Sequence, residues 1–124
     1  MNTDTISNPV EYFDMRIAHI GINAADAQDA ARIAALFESL FGLKSNDTPI
    51  SIFADTLVEV MKGCGRGEKG HIGLHVNDVP AAEEYFKGRG LTINEDSRAL
   101  NPDGSTKFVY FNEQIAGFAI HLSC

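Results

Sequence analysis

Two histidines of this chain occupy the same place in a repeated phrase. Ala18-His19-Ile20-Gly21-Ile22-Asn23 returns as Gly70-His71-Ile72-Gly73-Leu74-His75, an offset of 52 residues from position 19 to position 71. Two further residues sit in short alternating runs: Glu59 in Leu57-Val58-Glu59-Val60-Met61, and His121 in Ala119-Ile120-His121-Leu122-Ser123. Three imidazoles and a carboxylate make a donor set suited to Zn²⁺, Ni²⁺, Co²⁺, Mn²⁺ or Fe²⁺. A divalent ion so held is a Lewis acid that polarises substrate oxygens and acidifies bound water or a neighbouring carbon. A single histidine on a strand is more often a hydrogen-bonded structural residue. The chemistry therefore depends on whether the four residues share a face and meet.

Strand periodicity answers the first half. Side chains alternate faces with period two. Ile20 and Ile22 then oppose His19, Gly21 and Asn23; Ile72, Leu74 and Val76 oppose His71, Gly73, His75 and Asn77. Val58 and Val60 oppose Glu59, and Ile120 and Leu122 oppose His121. Each strand thus gives an aliphatic pair to one face, under a helix, and one donor to the other. Glycine beside a histidine leaves room for a ligand. His75 and Asn23 share the donor face and are expected to line the cleft against substrate rather than hold metal.

The helices follow from the same repeat. Asp26 and Asp78 are N-cap residues, and Pro80 suits an early helical position. Ala30, Ile33, Ala34, Phe37 and Leu40–Phe41 recur at helical spacing until Gly42 stops the run. Short strands are expected at 50–53, 57–61, 91–94, 97–100, 106–112 and 117–123, with a turn at Asn101-Pro102-Asp103-Gly104. Each half reads β-α-β-β-β, giving an α+β domain over 15–124 built of two modules, 15–62 and 70–124. Residues 1–14 read as a flexible lead-in. A repeat of this length is one supersecondary unit used twice, so equivalent residues meet across a pseudo-twofold axis. On that arrangement His19, Glu59, His71 and His121 converge.

Gly63-Cys64-Gly65-Arg66-Gly67 joins the halves. It lacks a following Lys-Ser/Thr and opens no helix, so a hinge is the better reading than a phosphate loop. Arg16, Lys62, Arg66, Lys69, Arg98 and Lys107 could each meet a substrate carboxylate, although charges at strand ends usually face solvent. Tyr85-Phe86 reads as core with Val79 and Ala82. Ser39, Ser51 and Ser123 lack the context of a nucleophilic serine.

The 124 residues suffice for one domain, and 44% apolar with 22% charged content is ordinary for a globular protein. A net charge of −7 with scattered Lys and Arg argues against nucleic acid and anionic membrane as partners. No apolar run reaches membrane-spanning length and no signal segment opens the chain, so a cytoplasmic location is expected. Cys64 and Cys124 form no CxxC pair and read as reduced thiols.

The paired β-α-β-β-β units, the HIGI…D and HIGLHVND strands, the VEV strand and the closing GFAIHL resemble the vicinal oxygen chelate superfamily. That superfamily spans glyoxalases, bleomycin resistance proteins, methylmalonyl-CoA epimerases, fosfomycin resistance proteins and extradiol dioxygenases. The resemblance covers nearly the whole chain after the lead-in. It implies a cupped, glyoxalase-like mixed sheet whose metal positions match His19, Glu59, His71 and His121. A further resemblance, carried by FDMRIAHIGINA, VEVMK, KGHIGLHVNDV and QIAGFAIHL, is to the small glyoxalase-like domain attached to some bacterial 2-keto-3-deoxy-6-phosphogluconate and 4-hydroxy-2-oxoglutarate aldolases. It implies a setting in sugar-acid metabolism. Glyoxalase I typically has a proton-shuttling glutamate where this chain has His121, which leaves Glu59 as the candidate base.

The expectation is therefore a metal-dependent, glyoxalase-type lyase or isomerase acting on a small 2-oxo or 2-hydroxy acid or aldehyde. One alternative is a non-catalytic metal- or metabolite-binding module, since four protein ligands could close the ion. The other is an extradiol-type dioxygenase, which uses two histidines and one carboxylate. The resemblance also implies a homodimer, with the site either within one chain or shared between two.

Overall fold

The structure, a computed structural model, describes residues 6–124. After a short helix α1 (Pro9–Tyr12) come β1 (Arg16–Asn23), α2 (Ala27–Phe41), β2 (Ser45–Asp47), β3 (Ser51–Ala54) and β4 (Val58–Met61). The second module repeats the order: β5 (Gly70–His75), α3 (Val79–Gly88), β6 (Ile93–Leu100), β7 (Thr106–Ile115) and β8 (Phe118–Ser123).

Both helices start where the repeated phrase ends. Asp26 accepts a hydrogen bond from the Asp29 amide at 2.8 Å, and the Asp29 carboxylate accepts one from the Ala25 amide at 2.9 Å. That reciprocal pair satisfies two amide donors that the first turn leaves free. Asp78 caps α3 through the Ala81 amide at 3.0 Å, with Pro80 in the first turn. Gly42 ends α2 in the left-handed conformation, φ 73°, which lets its amide reach the Glu38 carbonyl.

All eight strands form one mixed sheet in the order β2-β3-β4-β1-β5-β8-β7-β6. Within each module the first strand runs parallel to the last, β1 with β4 and β5 with β8. The modules meet through the antiparallel pair β1–β5. The order reads as a palindrome of the two modules, so the pseudo-twofold passes between β1 and β5. The four donor-bearing strands are the four central ones, all from a single chain.

The sheet's other face carries two cores. Ala30 and Ala34 of α2 are fully covered against Ile52 and Val60, with Ala24 beside them. Under α3, Val79, Ala82 and Tyr85 pack on Val109, Phe111, Ile120 and Leu122. Small residues let α2 settle onto the sheet, and its C-terminal turn runs past the edge. Leu40 and Phe41 are consequently 69% and 70% exposed, although their spacing placed them on the buried stripe. Ile20 and Ile22 are half-buried.

Residues 6–14, expected as part of a flexible lead-in, hold a short helix and a buried ring. Asn8 caps α1, Pro9 occupies its first turn, and Phe13 is completely buried. The Phe13 ring meets Tyr85 and Phe86 of α3 with centroids 5.8 Å and 6.4 Å away. The Asn77 amide donates to the Phe13 carbonyl at 2.8 Å, locking the segment onto the second module. Burial of a phenylalanine outweighed the polar composition around it. Positions 1–5 lie outside the described residues.

The two strands expected at 91–94 and 97–100 form one strand, β6, with a register shift between Asn94 and Ala99. Ser97 makes this possible: its hydroxyl donates to the Asn94 carbonyl at 2.6 Å and accepts from the Tyr110 amide at 2.8 Å. A side chain thus replaces a missing ladder bond at the bulge.

Candidate metal centre

Strand register places the four candidates in two rows. In one, Glu59 on β4 is level with Gly21 on β1, which is level with His71 on β5. In the other, His19 on β1 is level with Gly73 on β5, which is level with His121 on β8. Each row reads donor, glycine, donor, and the pseudo-twofold exchanges the rows. The glycine is what lets its flanking side chains lean together. A Cβ on Gly73 would lie 2.6 Å from His121 Cε1 and 2.9 Å from His19 Cε1, and one on Gly21 would overlap the His71 ring.

The donor atoms converge. His19 Nε2 is 3.1 Å from His71 Nε2 and 3.3 Å from His121 Nε2, and the three histidine donors lie within 4.8 Å of one another. Glu59 Oε1 is 3.1 Å from His71 Nε2 and 3.5 Å from His19 Nε2. The other carboxylate oxygen accepts a 2.7 Å hydrogen bond from the Ser51 hydroxyl, and Ser51 is fully buried. His71 and His121 are buried; His19 is half-buried, with Phe53 edge-on at 5.7 Å.

The electrostatics favour neutral His19 and His121 beside an ionised carboxylate. Burial lowers the His19 pKa, helped by His71 and opposed by Glu59. Burial, with His19 and His71 adding, pulls His121 down to about 3. Burial works to raise Glu59, but hydrogen bonds from His71 and Ser51 outweigh it and hold it below its ordinary value.

This donor set fits a divalent cation. Three imidazole Nε2 atoms and a carboxylate oxygen face one another with too few protons to bridge every close pair. A cation needs the Nε2 lone pairs inward, which moves the ring protons to Nδ1 and exchanges the His71–Glu59 hydrogen bond for the ion; the buried Nδ1 atoms of His71 and His121 have no hydrogen-bond partner among the described residues. Each such orphan costs about 1–3 kcal/mol. A cation among the inward lone pairs offsets that cost. Two of the three histidine donor separations, 3.1 and 3.3 Å from His19, also approach the about 3.4 Å edge of a tetrahedron with metal–nitrogen bonds of about 2.05 Å.

Two residues expected to line the cleft, Asn23 and His75, have partners outside the three-histidine cluster. Asn23 turns away to donate to the Gly67 carbonyl at 2.9 Å, so it pins the inter-module linker. His75 lies at the far end of β5, level with Arg16, with Nε2 3.8 Å from Asp14 and outside the three-histidine cluster. Two residues of the site were not anticipated. Tyr110 on β7 is level with His121, its ring centroid 5.0 Å from that imidazole and 6.1 Å from His71. Ser51 fixes Glu59. Alternation in Phe108-Val109-Tyr110 and in Ser51-Ile52-Phe53 marks their faces, but their neighbours follow only from the strand order.

No protein-family model matches the chain, and no curated protein matches it by sequence. Solved structures do. Methylmalonyl-CoA epimerase from Mycobacterium tuberculosis superposes with a TM-score of 0.61 at 14% identity, covering 86% of this chain and 85% of that one. The Streptomyces coelicolor epimerase, in complex with 2-nitronate-propionyl-CoA, gives 0.59 at 16% identity over 86% and 94%. A hypothetical protein from Bacillus halodurans gives 0.59 at 15% identity over 88% and 93%. The architecture is thus the α+β, glyoxalase-like fold of paired βαβββ modules that these structures share. At these identities the likeness concerns the fold, and it carries nothing specific to an aldolase-attached domain.

Proposed function

We propose that this protein is a divalent-metal-dependent isomerase or lyase acting on a small 2-oxo or 2-hydroxy acid or aldehyde. The observation that carries this reading is the convergence of His19, His71, His121 and Glu59 on one face of the sheet within a single chain. The fold shared with methylmalonyl-CoA epimerases supports proton movement at a carbon next to a carbonyl. His19, Glu59, His71 and His121 would hold the ion. Bound there, a divalent metal supplies Lewis acidity toward two adjacent substrate oxygens.

The chain's own part centres on Glu59. It is the one carboxylate of the cluster, it is held ionised, and Ser51 anchors its Oε2. Oε1 faces the histidines, so it would hold the ion and, when partly released from it, take a proton from the substrate carbon and return it. The fully buried Ser51 keeps that carboxylate from rotating away, and Phe53 screens the His19 side. The homodimer implied by the resemblance is not needed to complete this site.

A non-catalytic binding module is the second reading, because three histidines and a carboxylate equal the four ligands of a closed structural site. Elemental analysis and α-proton exchange in D₂O separate the two. Wild type is expected to carry close to one transition metal per chain, lost in His19→Ala and His121→Ala. Glu59→Gln, reloaded with metal, is expected to lose exchange by about 10²–10⁴-fold. Unchanged exchange in that variant overturns the role of Glu59. Metal uptake with no exchange across 2-oxo and 2-hydroxy acids favours the binding module. No uptake of Ni²⁺, Zn²⁺ or Mn²⁺ retires the metal centre.

A further inference from the structure

A shallow cavity of about 250 Å³ lies beside Tyr110, lined by Arg66, Asn94, Tyr110, Asn112 and Gln114 among others. It opens on the same face as the histidines, because Asn94 is level with Tyr110 and Tyr110 with His121. In a chain of net charge −7, none of the residues lining it is a carboxylate. Its walls offer hydrogen-bond donors instead. The Tyr110 hydroxyl and the Asn94 amide have no partner among the described residues. Gln114 uses its oxygen to accept from the Glu68 amide at 3.2 Å, which leaves its NH₂ free. Asn112 is occupied by Thr92 and Ile93.

Arg66 supplies the charge. Like Lys44, Lys69, Arg89 and Lys107, Arg66 pairs with no carboxylate among the described residues, and of these five it is the one that lines the cavity. Its guanidinium lies over the Tyr110 ring, Cζ 4.9 Å from the centroid. The linker is built to present it there. Gly67 has φ 83°, and a Cβ on it would overlap the Gly70 carbonyl. Neither can a Cβ be added at Gly65, where it would meet the Asn23 side chain. Asn23 and Gln114 then fasten the linker to both modules. The cation–π contact and these fastenings hold a flexible side chain in one place.

We infer that this cavity is an anion subsite that binds a second carboxylate or phosphate at the far end of the substrate. The inference rests on the proposed function, in that the near end is taken to occupy the histidine–glutamate cluster. The Tyr110 ring bridges the two places, so Arg66 Cζ lies within about 10 Å of the His121 ring centre. A chain of four to six atoms with an anion at each end spans that gap. The substrate class narrows accordingly to dianionic 2-oxo or 2-hydroxy acids, and the charged donor of Arg66 makes the far-end contact a strong one.

The test is calorimetric titration of metal-loaded protein with 2-hydroxyglutarate, 3-phosphoglycerate and 2-hydroxybutyrate. At least one dianion is expected to bind tenfold or more tightly than the monoanion. Arg66→Met is expected to remove that advantage without changing metal content or monoanion affinity, and Arg66→Lys to restore part of it. The preferred dianion tells carboxylate from phosphate. Equal binding of all three, or an advantage that survives in Arg66→Met, overturns the subsite. Should the protein hold no metal, succinate and inorganic phosphate titrated into it under NMR observation decide the matter alone. Shifts lost in Arg66→Met support the subsite while the metal reading falls; shifts indifferent to Arg66, or none at all, overturn it.

Discussion

Replacing Gly73 with alanine tests whether the glycine gap exists to bring two imidazoles together. The new Cβ would sit 2.6 Å from His121 Cε1, 2.7 Å from His121 Nε2 and 2.9 Å from His19 Cε1. Ordinary carbon contacts fall at about 3.5–4.0 Å, so the rings must retreat by about 1 Å in total. His121 has little room for this, with Tyr110 centred 5.0 Å away on one side and Phe108 5.6 Å on another. Overpacking of this kind costs about 1–3 kcal/mol. At about 3–6 °C per kcal/mol for a chain of this size, metal-free Gly73→Ala is expected to melt about 3–18 °C lower. Metal suffers more, because ligand distances tolerate only about 0.2 Å and a donor moved by several times that no longer coordinates. A drop of at least tenfold in Zn²⁺ affinity, measured by competition with a chromophoric chelator, is expected. Gly88→Ala is the control. Nothing lies within 4 Å of its Cβ, and it sits in α3, where alanine is stabilising by about 0.5–1 kcal/mol. Zn²⁺ affinity within twofold of wild type in Gly73→Ala would refute the reasoning. A lowered melting temperature with intact affinity would show that the glycine serves packing alone.

Two other outcomes are expected. Phe13→Ala, measured by urea denaturation, should lose about 3–5 kcal/mol, because a fully buried ring is removed from beneath α3; a loss under 1 kcal/mol would return residues 6–14 to the status of an appendage. Acid should destabilise the metal-free protein from about pH 6.5 downward. His121 titrates near 3 when folded and near 6.5 when unfolded, so between those values the unfolded chain binds the extra proton and stability falls as pH falls. His19 and Glu59, both lowered, act in the same direction. Each group contributes a slope of up to about 1.4 kcal/mol per pH unit. A flat stability profile from pH 7 to 4, or an unchanged one in His121→Phe, would contradict this account.

Much of the architecture was legible because the chain states it twice. The offset between His19 and His71, the caps at Asp26 and Asp78, and period-two alternation were enough to place four donors on one face. What the sequence leaves open shares one physical cause: local pattern says which face a residue takes, not what lies across from it. Tyr110 and Ser51 alternate correctly in their own strands, yet their roles appear only when β7 is laid beside β8 and β3 beside β4. Asn23 has the right parity but ends its strand, where the linker carbonyl competes for its amide. His75 has the right parity too, but it lies at the end of β5 away from the cluster, beside Arg16 and Asp14. Phe13 was hidden by polar neighbours. A single large ring can recruit a segment whose average composition suggests none of this, because burial acts on the residue rather than on the window.

The repeat also sharpens what the departures from it mean. A perfect duplication would place the same residue at the ends of both rows and give a site with no preferred direction. Here the twofold maps Glu59 onto His121, and the surroundings diverge with them. Glu59 is tied to a buried serine on the first module's side. His121 is backed by Tyr110, which carries the Arg66 guanidinium of the linker on its face. Glu59 therefore lies at one side of the cluster and the Arg66 guanidinium at the other. An unsymmetrical substrate with anions at both ends can enter such a site productively in one orientation only. The linker, though it belongs to neither repeat, supplies the feature that tells the two ends apart.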